Sequence, residues 1–282
     1  MNKEKIMQAV FFISACTSIL AVALICVFLF ANGIPAMQEI GVFKFLLGKM
    51  WKPGNDIYGI LPMILGSIYV TAGAILIGVP IGILTSIFMA KYCPKKIYPV
   101  LKSATELLAG IPSVVYGFFG LTVLVPMIRE IFLNKGTSML AASILLGLMI
   151  LPTIIGVTES AIRAVPESYY EGALALGATH ERSIFTVVLP AAKSGVLAGV
   201  VLGIGRAIGE TMAVVMVAGN QARMPAGILK GVRTMTANIV LEMGYAADLH
   251  KEALIATGVV LFVFILIINF SVSMLNRRAN ND

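Results

Sequence analysis

The 282-residue chain is 59% hydrophobic and only 12% charged, and several apolar runs reach about 18 residues or more. That composition excludes an ordinary water-soluble domain and places the chain in a bilayer. Its formal net charge of +7 is dispersed, with no stacking or groove-reading element beside it, so it reads as topology and membrane-surface charge; no nucleic acid is expected as a partner.

In chain order, six helical spans are predicted near residues 9–31, 64–90, 108–133, 139–163, 193–219 and 254–276. They form one all-α, polytopic membrane domain over residues 1–282. Lys3 and Lys5 precede the first span, and Ile13-Ser14-Ala15-Cys16 resembles a lipoprotein cleavage box. The sequence nevertheless stays apolar to Phe30, where a cleaved lipoprotein would turn polar, so an uncleaved first helix is expected. Cys16, Cys26 and Cys93 have no metal-ligand spacing and read as small packing residues.

An even number of spans puts both termini on one side. The loop after the second span carries Lys91, Lys95, Lys96 and Lys102 with no acid before Glu106, which marks it, and with it both termini, as cytoplasmic. Eleven Lys and Arg fall on that side against nine opposite, so the short loop carries the orientation. Pro80, Pro126 and Pro152 each free a backbone carbonyl inside a span, and kinks facing the bundle interior are expected. Glu159, near the cytoplasmic end of the fourth span, is expected to snorkel to the interface.

Residues 164–192 read as two short helices in a cytoplasmic loop. Pro166 stands at a first helical position with Glu167 in the first turn, Gly177 stops the helix, and Thr179 caps a second one ending near Leu189 and Pro190. Such a unit at the membrane surface is either a knob for a soluble partner or an interfacial hairpin.

The fifth span repeats Gly195, Gly199 and Gly203 every four residues, and the same helical face continues into Arg206 and Glu210. Glycines at this spacing let another helix approach closely. Each charge at a helix centre costs about 2.5–3.5 kcal/mol on insertion scales, so the two imply a protein interior or polar passage. At i,i+4 they are expected to pair, either to fix packing or to line an anion path with Arg206 as the attracting cation.

Beyond it, residues 221–253 mix both charge signs and are either a docking surface or a solvated connecting loop. The external segment 33–62 carries no stronger signal. His180 and His250 fall in loops on opposite sides and read as polar surface residues; no catalytic set is recognised.

Glu171-Gly172-Ala173, then Gly177, then Val187-Val188-Leu189-Pro190 resembles the EAA loop of ABC-importer permeases, with Gly172 and Val187 departing mildly from the family's Ala and Ile. The run Gly205-Arg206-Ala207-Ile208-Gly209-Glu210-Thr211-Met212-Ala213-Val214 looks like the signature of the phosphate-specific permeases, and Ala109 to Gly117 fits the same group. Met212-Ala213-Val214 resembles the PstC type more than the PstA type, as does the stretch Trp51 to Gly54.

The resemblance implies a type I ABC-importer permease fold with a cytoplasmic coupling helix. It implies that Glu171, Ala173, Gly177, Leu189 and Pro190 engage an ATPase, and that Arg206 and Glu210 line the substrate path. It further implies a PstA-like second permease, a PstB-like ATPase dimer that holds ATP and magnesium, and a PstS-like extracytoplasmic phosphate-binding protein. No GxxxxGK[ST] phosphate loop occurs in this chain, so no cofactor is expected on it. Alternative readings are a permease for sulfate or molybdate, an ATP-independent secondary transporter, or a membrane scaffold.

Overall fold

The computed structural model describes residues 2–279; the side chains of Lys3, Arg277 and Arg278, which entered the charge count above, lie outside the described residues. Among the described residues, five helices are long and apolar enough to cross a membrane, and a bent pair makes a sixth. The all-α reading therefore holds, but span boundaries shift wherever a helix is broken or extended.

Helix α1 (Asn2–Ile40) runs past the predicted first span at both ends. After the short α2 (Val42–Leu47), strands β1 (Trp51–Lys52) and β2 (Ile57–Tyr58) form a two-stranded hairpin, with Trp51 opposite Tyr58. Helix α3 (Leu61–Ile87) continues through Pro80 and ends in a π-helical turn, Phe88–Tyr92. The predicted third span divides. Helix α4 (Tyr98–Gly110) stops at Ile111-Pro112, and the crossing begins only at α5 (Ser113–Phe119), which passes through a π turn (Gly120–Leu124) into α6 (Val125–Phe132). Pro112 disfavours helical backbone at Ile111, which is extended, and the polar residues of α4 hide it from a hydropathy window.

Helix α7 (Met139–Ala164) is the centre of the molecule: 61% of its most apolar window is buried, against none of the window in α1. Leu145, Leu146, Met149, Ile150 and Ile154 are buried on one half of it and Ile155, Thr158 and Ile162 on the other, as befits a helix enclosed all round. Alongside it α3 runs parallel; Ser143 donates to the Val70 carbonyl at 3.3 Å near one end and Ser86 to the Ile155 carbonyl at 3.4 Å near the other.

Next come α8 (Glu167–Ala175), α9 (His180–Ser183), a π turn (Ile184–Val188) and α10 (Leu189–Ala191). The chain then bends by 70° into α11 (Lys193–Gly209). The predicted span 193–219 is not one helix, because Glu210 is extended and α12 (Met212–Val217) starts afresh.

Residues 221–253 do not form a solvated loop. Val232, Met235, Ala237 and Asn238 are fully buried, and α13 (Met235–Glu242) sits on α3, with the Met235 amide donating to Ser67 Oγ at 3.0 Å. Helix α14 (Asp248–Ala279) packs antiparallel to α1, Phe30 meeting Phe262 edge to face at 5.9 Å.

Candidate substrate path and coupling unit

The glycine face of α11 lies on α7. A Cβ on Gly199 would come within 2.8 Å of Thr158 Oγ1, one on Gly203 within 2.9 Å of Ile154 Cγ1, and Gly195 lies directly against the Ala161 side chain. This close approach brings the last turn of α11, and with it Arg206, against α7. There the Arg206 guanidinium reaches Thr153 Oγ1 at 3.5 Å, a long hydrogen bond.

The expected Arg206–Glu210 pair is absent from the ion pairs among the described residues. The i,i+4 argument required one continuous helix, and the break at Gly209 removes it. Glu210 instead caps α12: its Oε1 accepts from the Ala213 amide at 3.2 Å, and its carbonyl accepts from Thr236 Oγ1 of α13 at 3.0 Å. Arg206 is thus a permanent, half-buried cation close to a helix break whose hydrogen-bond partner among the described residues is the neutral Thr153 hydroxyl. That arrangement can attract an anion without holding it in a closed cage.

Glu159 does not snorkel. It is 1% exposed and accepts from Tyr98 Oη at 2.7 Å, Lys102 Nζ at 2.8 Å and Arg163 Nε. Arg163 also stacks over the Tyr98 ring at 4.2 Å. The reason is α4, which folds back across α7 and brings Tyr98 and Lys102 to a carboxylate that would otherwise face lipid headgroups. The hydrogen bond to Glu159 holds the Lys102 ammonium pKa above its ordinary value.

At the opposite end Glu242 is buried and accepts from Trp51 Nε1 at 2.8 Å and from the Arg233 guanidinium, with His250 Nε2 at 2.9 Å. His250 is accordingly no surface residue; it helps to suture the hairpin to the segment 221–253. His180 is also engaged: Tyr170 Oη lies 2.7 Å from its Nδ1.

The loop 164–192 has the predicted two-helix form. Pro166 is the residue before the first helical position, one earlier than expected, and Gly177 turns the chain at φ +86 with no atom near its missing Cβ, so the backbone angle alone demands glycine there. Thr179 accepts from the Arg182 amide as the cap of α9. Glu171 and Pro190 are exposed, Leu189 is half-buried, and Ala173 is buried beneath the tip. At the Gly177 bend Leu176 is 92% exposed, and Tyr169 and Leu174 of α8 are exposed as well.

Thr153, Tyr98, Lys102, Thr236, Trp51 and Glu242 were not foreseen as site residues. One signal was available: Arg163 stands four residues after Glu159 on the same helix, so a pair could have been read there.

A family model described as binding-protein-dependent transport system inner membrane component matches residues 82–281. Over 272 residues the chain is 42% identical to the probable ABC transporter permease protein YqgH of Bacillus subtilis, covering 92% of this chain and 88% of that one. It is 36% identical over 261 residues to the phosphate transport system permease protein PstC of Mesorhizobium japonicum, covering 85% and 80%. The probable PstC of Methanocaldococcus jannaschii is 32% identical over 265 residues, covering 86% and 84%.

Among solved structures, a chain of a bacterial alginate ABC transporter in complex with an alginate pentasaccharide-bound periplasmic protein superposes with a TM-score of 0.67 at 16% identity, covering 95% of this chain and 94% of that one. An inward-facing MetNI methionine ABC transporter chain gives 0.65 at 18% identity, covering 82% and 99%. The fold is that of the type I ABC-importer permeases.

Proposed function

This chain belongs to the binding-protein-dependent transport inner-membrane component family, and we propose that within it the chain is the permease subunit of an ATP-driven importer of inorganic phosphate. The observation that carries the phosphate assignment is Arg206: a forked, permanently charged guanidinium at a helix break, beside Thr153 and without a carboxylate partner, suits an oxyanion that must bind and leave. The PstC relatives support the same substrate.

In this reading the chain pairs with a PstA-like permease, both termini are cytoplasmic, and a PstS-like protein delivers phosphate to the outer face. A PstB-like ATPase dimer binds ATP and magnesium and docks on the unit at 164–192. Leu176 and its apolar neighbours fill a cleft in the ATPase, with Glu171 and Pro190 at the rim and Gly177 setting the bend. ATP-driven closure moves the unit and opens the helix interface outward; phosphate enters past Arg206, and hydrolysis resets it. Such a cycle requires that each ligand bind the two states unequally. This chain performs no covalent chemistry; it supplies the passage and the lever.

The test is uptake into liposomes that contain the chain with its permease and ATPase partners and the binding protein, with and without ATP, and with excess sulfate. ATP-dependent phosphate uptake that resists sulfate is expected. Sulfate transport, or uptake without ATP, overturns the assignment.

A further inference from the structure

We infer that the unit at 164–192 passes its motion into α3 through a joint with the π turn at Phe88–Tyr92, and that Tyr92 and His180 are the positioning residues of that joint. The inference rests on the importer reading above. Chain direction points elsewhere, since the unit continues into α11, which carries Arg206. That connection turns by 70° at Ala192, so the axis of the unit and the axis of α11 are not collinear, and a lateral route beside it matters.

The ties to α3 are lateral and varied in chemistry. Lys91 Nζ lies 3.2 Å from Glu167 Oε2 and 5.5 Å from the centre of the Tyr170 ring. His180 is held between two aromatic rings, Tyr92 edge to face at 4.8 Å and Tyr170 at 5.6 Å, while the Tyr170 hydroxyl holds its Nδ1 at 2.7 Å. Arg163, at the entry to the unit, donates to the Met89 carbonyl at 2.7 Å. Beneath these contacts Ile87, Ile162, Val165, Ile184, Val188 and Ala192 form a separate apolar cluster, which takes in the bend itself. The end of α3 and the two helices of the unit are therefore packed together over the apolar cluster, with a partly exposed aromatic and ionic seam above it.

The seam falls on a π turn, where one extra residue loosens the helical hydrogen-bond ladder, and a turn of this kind can wind or unwind as its partner shifts. From there α3 has a rigid route onward, since it packs along α7 from Ser86 to Ser143, and α7 carries Thr153 beneath Arg206. Movement of the tip at Leu176 thus reaches the path by way of α3 and α7 as well as through the bend.

The test uses the whole complex in liposomes, with phosphate uptake and ATP hydrolysis measured together. In Tyr92→Ala and in His180→Ala the partner ATPase continues to turn over, while phosphate moved per ATP falls about fivefold or more. The double variant falls no further than the worse single one, because both remove the same joint. His180→Phe, which keeps a ring against Tyr92, recovers most of the ratio. A wild-type ratio in both alanine variants, or losses that multiply in the double variant, overturns the inference. Should the alanine variants fail to assemble, His180→Gln decides by the same ratio: a reduced value supports the joint and a wild-type value overturns it. A wild-type complex that hydrolyses ATP without importing phosphate would instead sink the importer reading itself.

Discussion

Glu159 and Arg206 are charged side chains of packed helices a short distance apart in the fold, and the molecule treats them in opposite ways. Glu159 sits in a finished cage of Tyr98, Lys102 and Arg163, whereas among the described residues Arg206 has Thr153 alone. A buried charge that is fully partnered has been committed to holding helices together. One left with a long, neutral hydrogen bond remains available to a ligand that brings its own charge. On the proposed reading, the contrast separates the part of the membrane domain that stays fixed from the part that exchanges partners.

The sharpest way to break the contrast is Glu159→Ala, which removes the one buried acceptor shared by Tyr98, Lys102 and Arg163. A loss of about 3 kcal/mol is expected, read as a large fall in thermal stability in detergent; an unchanged transition would show that the cage is not structural. Next is Gly199→Leu, whose side chain has no room against Thr158 and Ile154. We expect about 2 kcal/mol of destabilisation in the same assay, together with poor assembly, and a normal melt would mean that α11 does not depend on its close fit to α7.

Lys102→Gln should cost less, about 1 kcal/mol, because Arg163 and Tyr98 still hold the carboxylate. Its pKa is raised in the fold above the ordinary 10.5, so the contribution is fully present below that value and is lost only as pH rises through the folded pKa. The difference in melting between wild type and variant should therefore be the same at about pH 7 and about pH 9. The smallest stability effect belongs to Arg206→Gln, under about 1 kcal/mol, while phosphate uptake falls roughly tenfold or more. If that variant melted as low as Glu159→Ala, or imported phosphate normally, Arg206 would be another structural charge and the contrast would be gone.

Legibility followed the range of the interactions. The two-helix unit with its Gly177 bend and Thr179 cap was readable because caps and turns are settled within a few residues. The spacing of Gly195, Gly199 and Gly203 announced a close helix contact, though not that α7 was the partner. Glu159 was misplaced because its partners Tyr98 and Lys102 lie about sixty residues upstream on a helix that a hydropathy window reads as loop. The Arg206–Glu210 pair failed for the converse reason. Local spacing allowed it, but Thr236, on a segment assigned to solvent or to a partner, holds the Glu210 carbonyl at the break.

The residues alone determined that the chain is a helical membrane protein and that its loop at 164–192 is two short helices about a glycine bend, and their motifs carried the resemblance to a family. The first two follow from hydrophobic run length and from capping chemistry, both short-range in sequence. Only the tertiary structure decided which charges are spent on packing and which stay free. That choice depends on whether a distant helix delivers a partner to each buried group, and desolvation makes the outcome all or nothing at every site.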